Sequence, residues 1–407
     1  MNSPKGALDL LNEERVSFLV GLCQRMIQCP SLSGQEGDLA SLIQETMISL
    51  GYDEVRVDRY GNVIGRISFA RPGKRILFEG HMDHVDPGDL SQWTVDPYGG
   101  AMKDGRIYGR GTSDMKGSLA AMITAAAYLK ADTPNDLSGD ILVAGSVHEE
   151  CFEGVASQEI GEAYKPDYVV IGEASSLNLK RGQRGRAEVV LETYGKSAHS
   201  SNPQEGLNAV KKMVKLLSRI EESYTPPTNE ILGKGILELT DIISSPYPGA
   251  SVVPDRCRVT FDRRLLVGET QEDVLGALQQ VADEIGEKDP EFNAKASIAT
   301  GEEKCYTGEP IRAQRFAPGW LLDDGHEYVR RSLAGLKKAG LSPELSHYAF
   351  CTNGSYYAGV AGIPTIGFGA SKEELAHVID EYVEIEQLAA ACRGYYAISA
   401  AMLDGSC

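Results

Sequence analysis

Four short apolar runs, each leading to an ionisable side chain, constrain this chain more than any other feature. Arg75–Glu79 (RILFE) leads to His81 and Asp83, and Asp140–Val147 (DILVAGSV) runs into His148-Glu149-Glu150. Tyr168–Gly172 (YVVIG) ends on Glu173, and Thr365–Phe368 precedes a loop holding His377. Brief apolar runs bounded by Gly, Pro or polar residues read as buried strands. Helical segments separate them, among them the small-residue stretch Asp114–Lys130 and the segment Glu327–Lys338. Strands alternating with helices predict an α/β fold, a mostly parallel sheet flanked by helices. In such a sheet, sites form outside the carboxyl ends of the strands. His81, Asp83, Glu149, Glu150, Glu173 and His377 therefore fall on one rim.

Other segments fill in the plan. Leu8, Leu11, Phe18, Leu22 and Met26 recur at helical spacing and stop before Pro30. Ser33-Gly-Gln-Glu36 reads as a capping box that starts a helix through Leu50. Short strands follow at Val55–Val57 and Val63–Ile67, and Asp114 reads as a helix N-cap, a favourable place for negative charge. Near Arg184 the character changes. RAEVVLETYG, ILELTDIIS, CRVTFDRRLL and KASIAT read as strands, with helices through Leu207–Ile220 and Glu272–Ile285. Four strands and two helices in that order predict a smaller α+β, ferredoxin-like domain at 184–303. It interrupts a larger domain made of 1–183 and 304–407, which closes with a helix from Tyr382 to Met402.

Charge narrows the partners. A formal net charge of -18 argues against nucleic acid, because phosphate binding needs a basic face. An anionic substrate would need a local basic pocket. The eight cysteines are scattered without a C-x-x-C pair, as in reduced thiols of an intracellular protein. The N-terminal stretch lacks a signal-peptide apolar core, and no apolar run approaches the roughly 20 residues needed to span a bilayer. Cytoplasmic localisation without membrane partners is the expectation.

Among His81, Asp83, Asp114, Glu149, Glu150, Glu173 and His377 there are five potential metal ligands and two spare carboxylates. Three carboxylates and two imidazoles suit Zn²⁺, with Co²⁺ or Mn²⁺ as alternatives. So many carboxylates in one crevice repel one another unless cations intervene. Two divalent ions sharing a carboxylate resolve this.

HMDHVDPGD, WTVDPYGG, DGRIYGRGTSDMKGSLAAM, HEE, IGEAS, GKSAHSSNPQEGLNA and GIPTIGFG resemble a known metallohydrolase family. It is the zinc-dependent family of aminoacylase, carboxypeptidase G, acetylornithine deacetylase and succinyl-diaminopimelate desuccinylase. RGQRGRAE, LGKGILELTDI, DRRLLVGET and CTNGS resemble in particular a subgroup of hydrolases associated with selenium metabolism. The resemblance implies that Asp114 bridges two metals, one completed by His81 and Glu173, the other by Glu150 and His377. It implies Glu149 as general base, Asp83 as the partner that orients His81, and His199 as the donor to a developing oxyanion. Arg264, Asn353 and Gly354 fall in the implied substrate pocket, with the inserted domain as a lid and dimerisation unit. Departures from the family pattern fall at His84, Ser118, Ser251, Val267 and Asn353; His84, His148, His326 and His347 read as structural. The implied activity is cleavage of an amide next to a carboxylate, in an N-acyl amino acid or short peptide. Removal of an N-carbamoyl group is the alternative within hydrolases. An inert metal-bound regulator is the alternative outside them, and intact Glu149 and ligands speak against it.

Overall fold

The computed structural model describes residues 11–133 and 137–404. Leu8, placed above on the first helix, lies outside them; the helix itself runs Glu13–Ile27 and buries Leu19, Leu22 and Met26. The largest sheet has nine strands. At its centre four strands lie side by side and parallel, in the order Ser138–Ser146, Arg71–His81, Tyr168–Ile171 and Thr365–Gly367. Ile76, Phe78, Ile141, Val143, Val170 and Ile366 from these strands are buried against the helices of one face. Leu77, Leu142, Val169 and Ile171 are buried on the other, beside Ile160 and Tyr357. Burial on both faces explains why the runs lack polar alternation.

The second sheet has five strands. Ile236–Ser245, Arg256–Leu265, Gly185–Tyr194 and Asn293–Ile298 pair in that order, all antiparallel, and Phe316–Ala317 also pairs Gly185–Tyr194. Ala187, Val189, Leu191, Val259 and Phe261 face the helices Ala209–Ser223 and Gln271–Gly286 in a core of their own. Phe316–Ala317 lies beyond the boundary expected at residue 303 because the chain first makes a hairpin, Thr300–Lys304 with Pro310–Gln314.

The chain crosses between the sheets twice. Gln183 ends a strand of the large sheet and Gly185 starts one of the small sheet, with only Arg184 between them. The return passes from Ala317 to Trp320, and Gln183 pairs with Trp320 while Arg186 pairs with Ala317. A Cβ on Gly185 would come within 2.3 Å of the Ala317 oxygen and the Gly319 nitrogen, so this tight double crossing requires glycine.

Three local expectations change. The helix after Asp114 starts only at Gly117, and Asp114 has extended dihedrals (φ -127, ψ 92), so it is not an N-cap. The Ser33 hydroxyl donates to Asp83 Oδ2 at 2.7 Å and makes no cap bond on the helix Gly37–Ser49, whose N-cap is Glu36. Tyr382–Glu384 is a strand paired with Arg106–Tyr108, and the closing helix runs Ile385–Leu403. No described helix is long and apolar enough to cross a membrane.

Candidate metal centre

The parallel strands bring their carboxyl ends to one edge. His81 is the last residue of its strand and pairs with Ser146, three residues before Glu149. Glu79 pairs with Ile171, two residues before Glu173. His81, Glu149 and Glu173 therefore leave their strands at nearly the same level. His81 Nδ1–H donates to the Asp83 carbonyl oxygen at 2.9 Å, turning Nε2 toward Asp114 Oδ1 at 2.8 Å and Glu173 Oε1 at 3.5 Å. The other oxygen of Asp114, Oδ2, lies 3.0 Å from His377 Nε2, which is also 3.2 Å from Glu150 Oε1. Asp114 thus presents a separate oxygen to each imidazole, and each imidazole has a second carboxylate beside it.

Glu149 belongs to the same cluster. His81, Glu149 and Glu173 each offer an atom within 4.8 Å of the others, as do His81, Asp114 and Glu150. Burial pushes the Glu149 and Glu173 carboxyls well above their ordinary range, reinforced for Glu173 by the Asp114 charge and for Glu149 by Glu173 and Glu150. Burial also opposes a charge on Asp114, but the hydrogen bonds from His377 and His81 overrule it and hold its pKa below the usual carboxylate range. A cluster of four carboxylates and two imidazoles, largely withdrawn from water, has the chemistry of a divalent-cation site.

The scaffold beneath the cluster includes two groups not fully foreseen. The Asp83 carboxylate is fully buried, and its oxygens accept from the Glu149 and Glu150 backbone N–H groups at 3.1 and 3.2 Å. Asp83 thus orients His81 through its carbonyl, while its side chain, 3.6 Å from Nδ1, shapes the His148-Glu149-Glu150 turn. Glu381 is the residue that sequence reasoning missed. Its buried carboxylate accepts from the backbone N–H groups of Gly111, Ser113 and Asp114 at 3.1, 2.7 and 3.1 Å, and from Arg110 at 2.6 Å. It fastens the loop that presents Asp114, in which Gly111 takes φ +86. The available signal was the spacing His377-x-x-Asp-Glu381, an acid pair just after a ligand candidate. Glu381→Gln would turn an amide toward three donors and leave Arg110 without its carboxylate. We expect it to cost about 3–5 kcal/mol of stability, measured by denaturant unfolding of the metal-free protein.

The remaining candidates lie elsewhere. His199 is exposed on the small-sheet side of the molecule, and its Nδ1 accepts from the Ser201 N–H at 3.1 Å, so it is not brought to the cluster. Arg264 lies on the strand Arg256–Leu265, its Nε 2.7 Å from Asp262 Oδ1. Asn353 does not face a cleft. Its amide nitrogen donates to Glu79 at 2.9 Å and Ser146 at 3.0 Å, and its oxygen accepts from Gly154 N–H at 2.6 Å, so both ends are committed to the buried scaffold. Gly354 is buried too, and a Cβ there would meet Trp320 Nε1 at 2.8 Å, a packing reason for glycine. Neither residue is left free for substrate.

A mostly parallel sheet with this cluster on its rim defines a metal-dependent hydrolase of amide or peptide bonds. The chain belongs to peptidase family M20/M25/M40, whose family model matches residues 77–401. It is 34% identical over 378 residues to the Escherichia coli K12 protein YgeY, covering 92% of this chain and 91% of that one. It is 27% identical over 381 residues to the succinyl-diaminopimelate desuccinylase of Cereibacter sphaeroides ATCC 17029, covering 91% and 94%. Among solved structures, aminopeptidase PepT from Bacillus cereus shares the fold with a TM-score of 0.73 at 22% identity, covering 97% of this chain and 99% of that one.

Proposed function

We propose that the protein is a dinuclear metallohydrolase that cleaves an amide bond adjacent to a carboxylate, in an N-acyl amino acid or a short peptide. The observation that carries this reading is Asp114, whose two oxygens face His81 and His377 separately. His81, Glu173 and Asp114 would hold one ion, and Asp114, Glu150 and His377 the other, with Zn²⁺ first and Co²⁺ or Mn²⁺ as alternatives. When bound, two such ions acidify water and polarise the scissile carbonyl. Glu149, buried beside the ligands, takes the proton of the attacking water and delivers it to the leaving amine. Arg264 grips the substrate carboxylate with parallel hydrogen bonds. His199 supplies a hydrogen bond to the developing oxyanion. The test is metal analysis joined to a hydrolysis panel of N-acetyl, N-succinyl and N-carbamoyl amino acids and dipeptides. No hydrolysis of any carboxylate-bearing amide by the metal-loaded protein would overturn the reading.

The two halves of the centre differ in exposure. The His81 ring is buried with Nδ1 anchored, whereas the His377 side chain is half exposed and, among the described residues, its Nδ1 has no such anchor. Fixing a ligand's second nitrogen raises metal affinity. Titration of the metal-free protein should therefore be stepwise, with the first ion held about ten- to a hundredfold more tightly than the second. A single step of two equivalents would contradict that order.

The same reading includes a homodimer through the small sheet. Its edge strand, Ile236–Ser245, leaves Ile236, Leu239, Ile242 and Ile243 exposed, and an apolar unpaired edge is a template for a second strand.

A further inference from the structure

The small sheet has two unlike faces. Along Arg256–Leu265, Cys257, Val259, Phe261 and Leu265 are buried on the helix side. By strand alternation Asp262 and Arg264 share the opposite face, and Arg264 pairs with Arg186 while Asp262 pairs with Glu188 on the neighbouring strand. Two arginines directly opposite each other repel. Asp262 relieves this: Oδ1 lies 2.7 Å from Arg264 Nε, and Oδ2 lies 2.9 Å from Arg186 Nε and 3.5 Å from Arg264 Nη2. Arg186 reaches on with Nη1 to Glu153 Oε1 at 3.0 Å. Glu153 belongs to the large-sheet side and follows Glu149 and Glu150 on the same turn.

A second link runs parallel to the first. Arg315 lies 3.5 Å from Glu188, on the same polar face, and donates to the Cys151 carbonyl oxygen at 3.1 Å. The polar face of the small sheet is therefore fastened directly to residues 151–153. Four alternating charges, Glu153, Arg186, Asp262 and Arg264, thus run from the turn of Glu149 and Glu150 to the candidate carboxylate receptor.

We propose that Asp262 is a positioning residue: it holds the Arg264 guanidinium as the receptor for the substrate carboxylate and, through Arg186, registers that receptor against the turn carrying Glu149 and Glu150. A free arginine side chain samples many rotamers, and a receptor already held in place loses less freedom when it binds. Asp262 occupies the Nε edge of the fork, which directs the rest of the guanidinium toward a second carboxylate. The proposal rests on the amide-next-to-carboxylate reading above, and its test separates the two.

The assay uses the fastest carboxylate substrate of the hydrolysis panel and its primary carboxamide. Asp262→Asn should raise KM for the acid about tenfold, the loss of one charge-assisted hydrogen bond's support, and leave kcat within about twofold. KM for the carboxamide should stay unchanged, so the preference for acid over amide falls. Thermal melting checks folding, and Glu192→Gln, on the same face where Glu192 is ion-paired with Arg256 away from both links, serves as the control that keeps the preference. If the Asn variant melts early, Asp262→Glu retains the charge but displaces the guanidinium, and should again raise KM for the acid alone. An equal loss on acid and amide would make Asp262 merely structural and overturn the proposal. So would an unchanged preference in Asp262→Asn when Arg264→Ala abolishes it. An unchanged preference in Arg264→Ala itself would remove the carboxylate-receptor reading, and the positioning role with it.

Discussion

Replacing Glu149 with glutamine is expected to lower turnover by about two to four orders of magnitude while leaving the metal content unchanged. The substitution keeps the shape of the side chain and removes its basicity. Glu149 stands within ligand distance of His81 and Glu173, so geometry alone would let it bind metal. Burial raises its pKa, and the charges of Glu173 and Glu150 add to that rise against the opposing charge of His81. Glu150, by contrast, is hydrogen-bonded to His377 at 3.2 Å, which fits the ligand role proposed for it. The check is metal analysis beside steady-state kinetics for both Glu→Gln variants. Loss of metal in Glu149→Gln, with the ion content intact in Glu150→Gln, would exchange the two roles.

His199→Ala should lower kcat by about a hundred- to a thousandfold with full metal occupancy, the usual cost of one oxyanion donor. The difficulty is delivery. His199 is exposed and bonded within its own loop to Ser201, not to the cluster. Either closure of the small sheet over the large one brings it in, or a second subunit supplies it. Because Nδ1 accepts from the Ser201 N–H, the ring would donate through Nε2. Mixing Glu149→Gln with His199→Ala subunits distinguishes the routes. Recovered activity in the mixed dimer means donation in trans. No recovery, with subunit exchange verified, means that each chain uses its own histidine.

Much of the centre was legible because its signal is local. A buried parallel strand has to be a run of apolar residues, so an acid or imidazole just past such a run stands out. His81, Glu150, Glu173 and His377 were visible in that way, and the order of the four central strands then brought them together. Asp114 was visible as a residue but not in its conformation. A glycine-rich approach and an acid before a helical stretch look like an N-cap, whereas Glu381, distant in sequence, holds that backbone away from the helix. Asn353 shows the same limit from the other side. Nothing near it in sequence announces that Glu79 and Ser146 will claim its amide. Leu345–Tyr348 was missed because LSHY has neither an apolar run nor clean alternation, and only pairing with Leu179–Gln183 makes it a strand. Side-chain direction and distant partners are tertiary facts, and short sequence windows do not carry them.

The paired crossings at Arg184 and at Pro318-Gly319 have a genetic consequence. Gln183 and Trp320 already sit opposite each other in the large sheet, so a two-residue turn could join them and delete everything between, the hairpin whose Cys305 and Ile311 pack into the large core included. All six members of the metal cluster would remain in the shortened chain, as would Asp83 and Glu381, whereas His199, Asp262 and Arg264 would be gone. The proposed reaction centre and the residues proposed to select its substrate thus lie on different stretches of chain. Recombination at this one junction could graft a new selectivity onto an unaltered catalytic sheet, since chain ends that emerge side by side are where insertions are best tolerated.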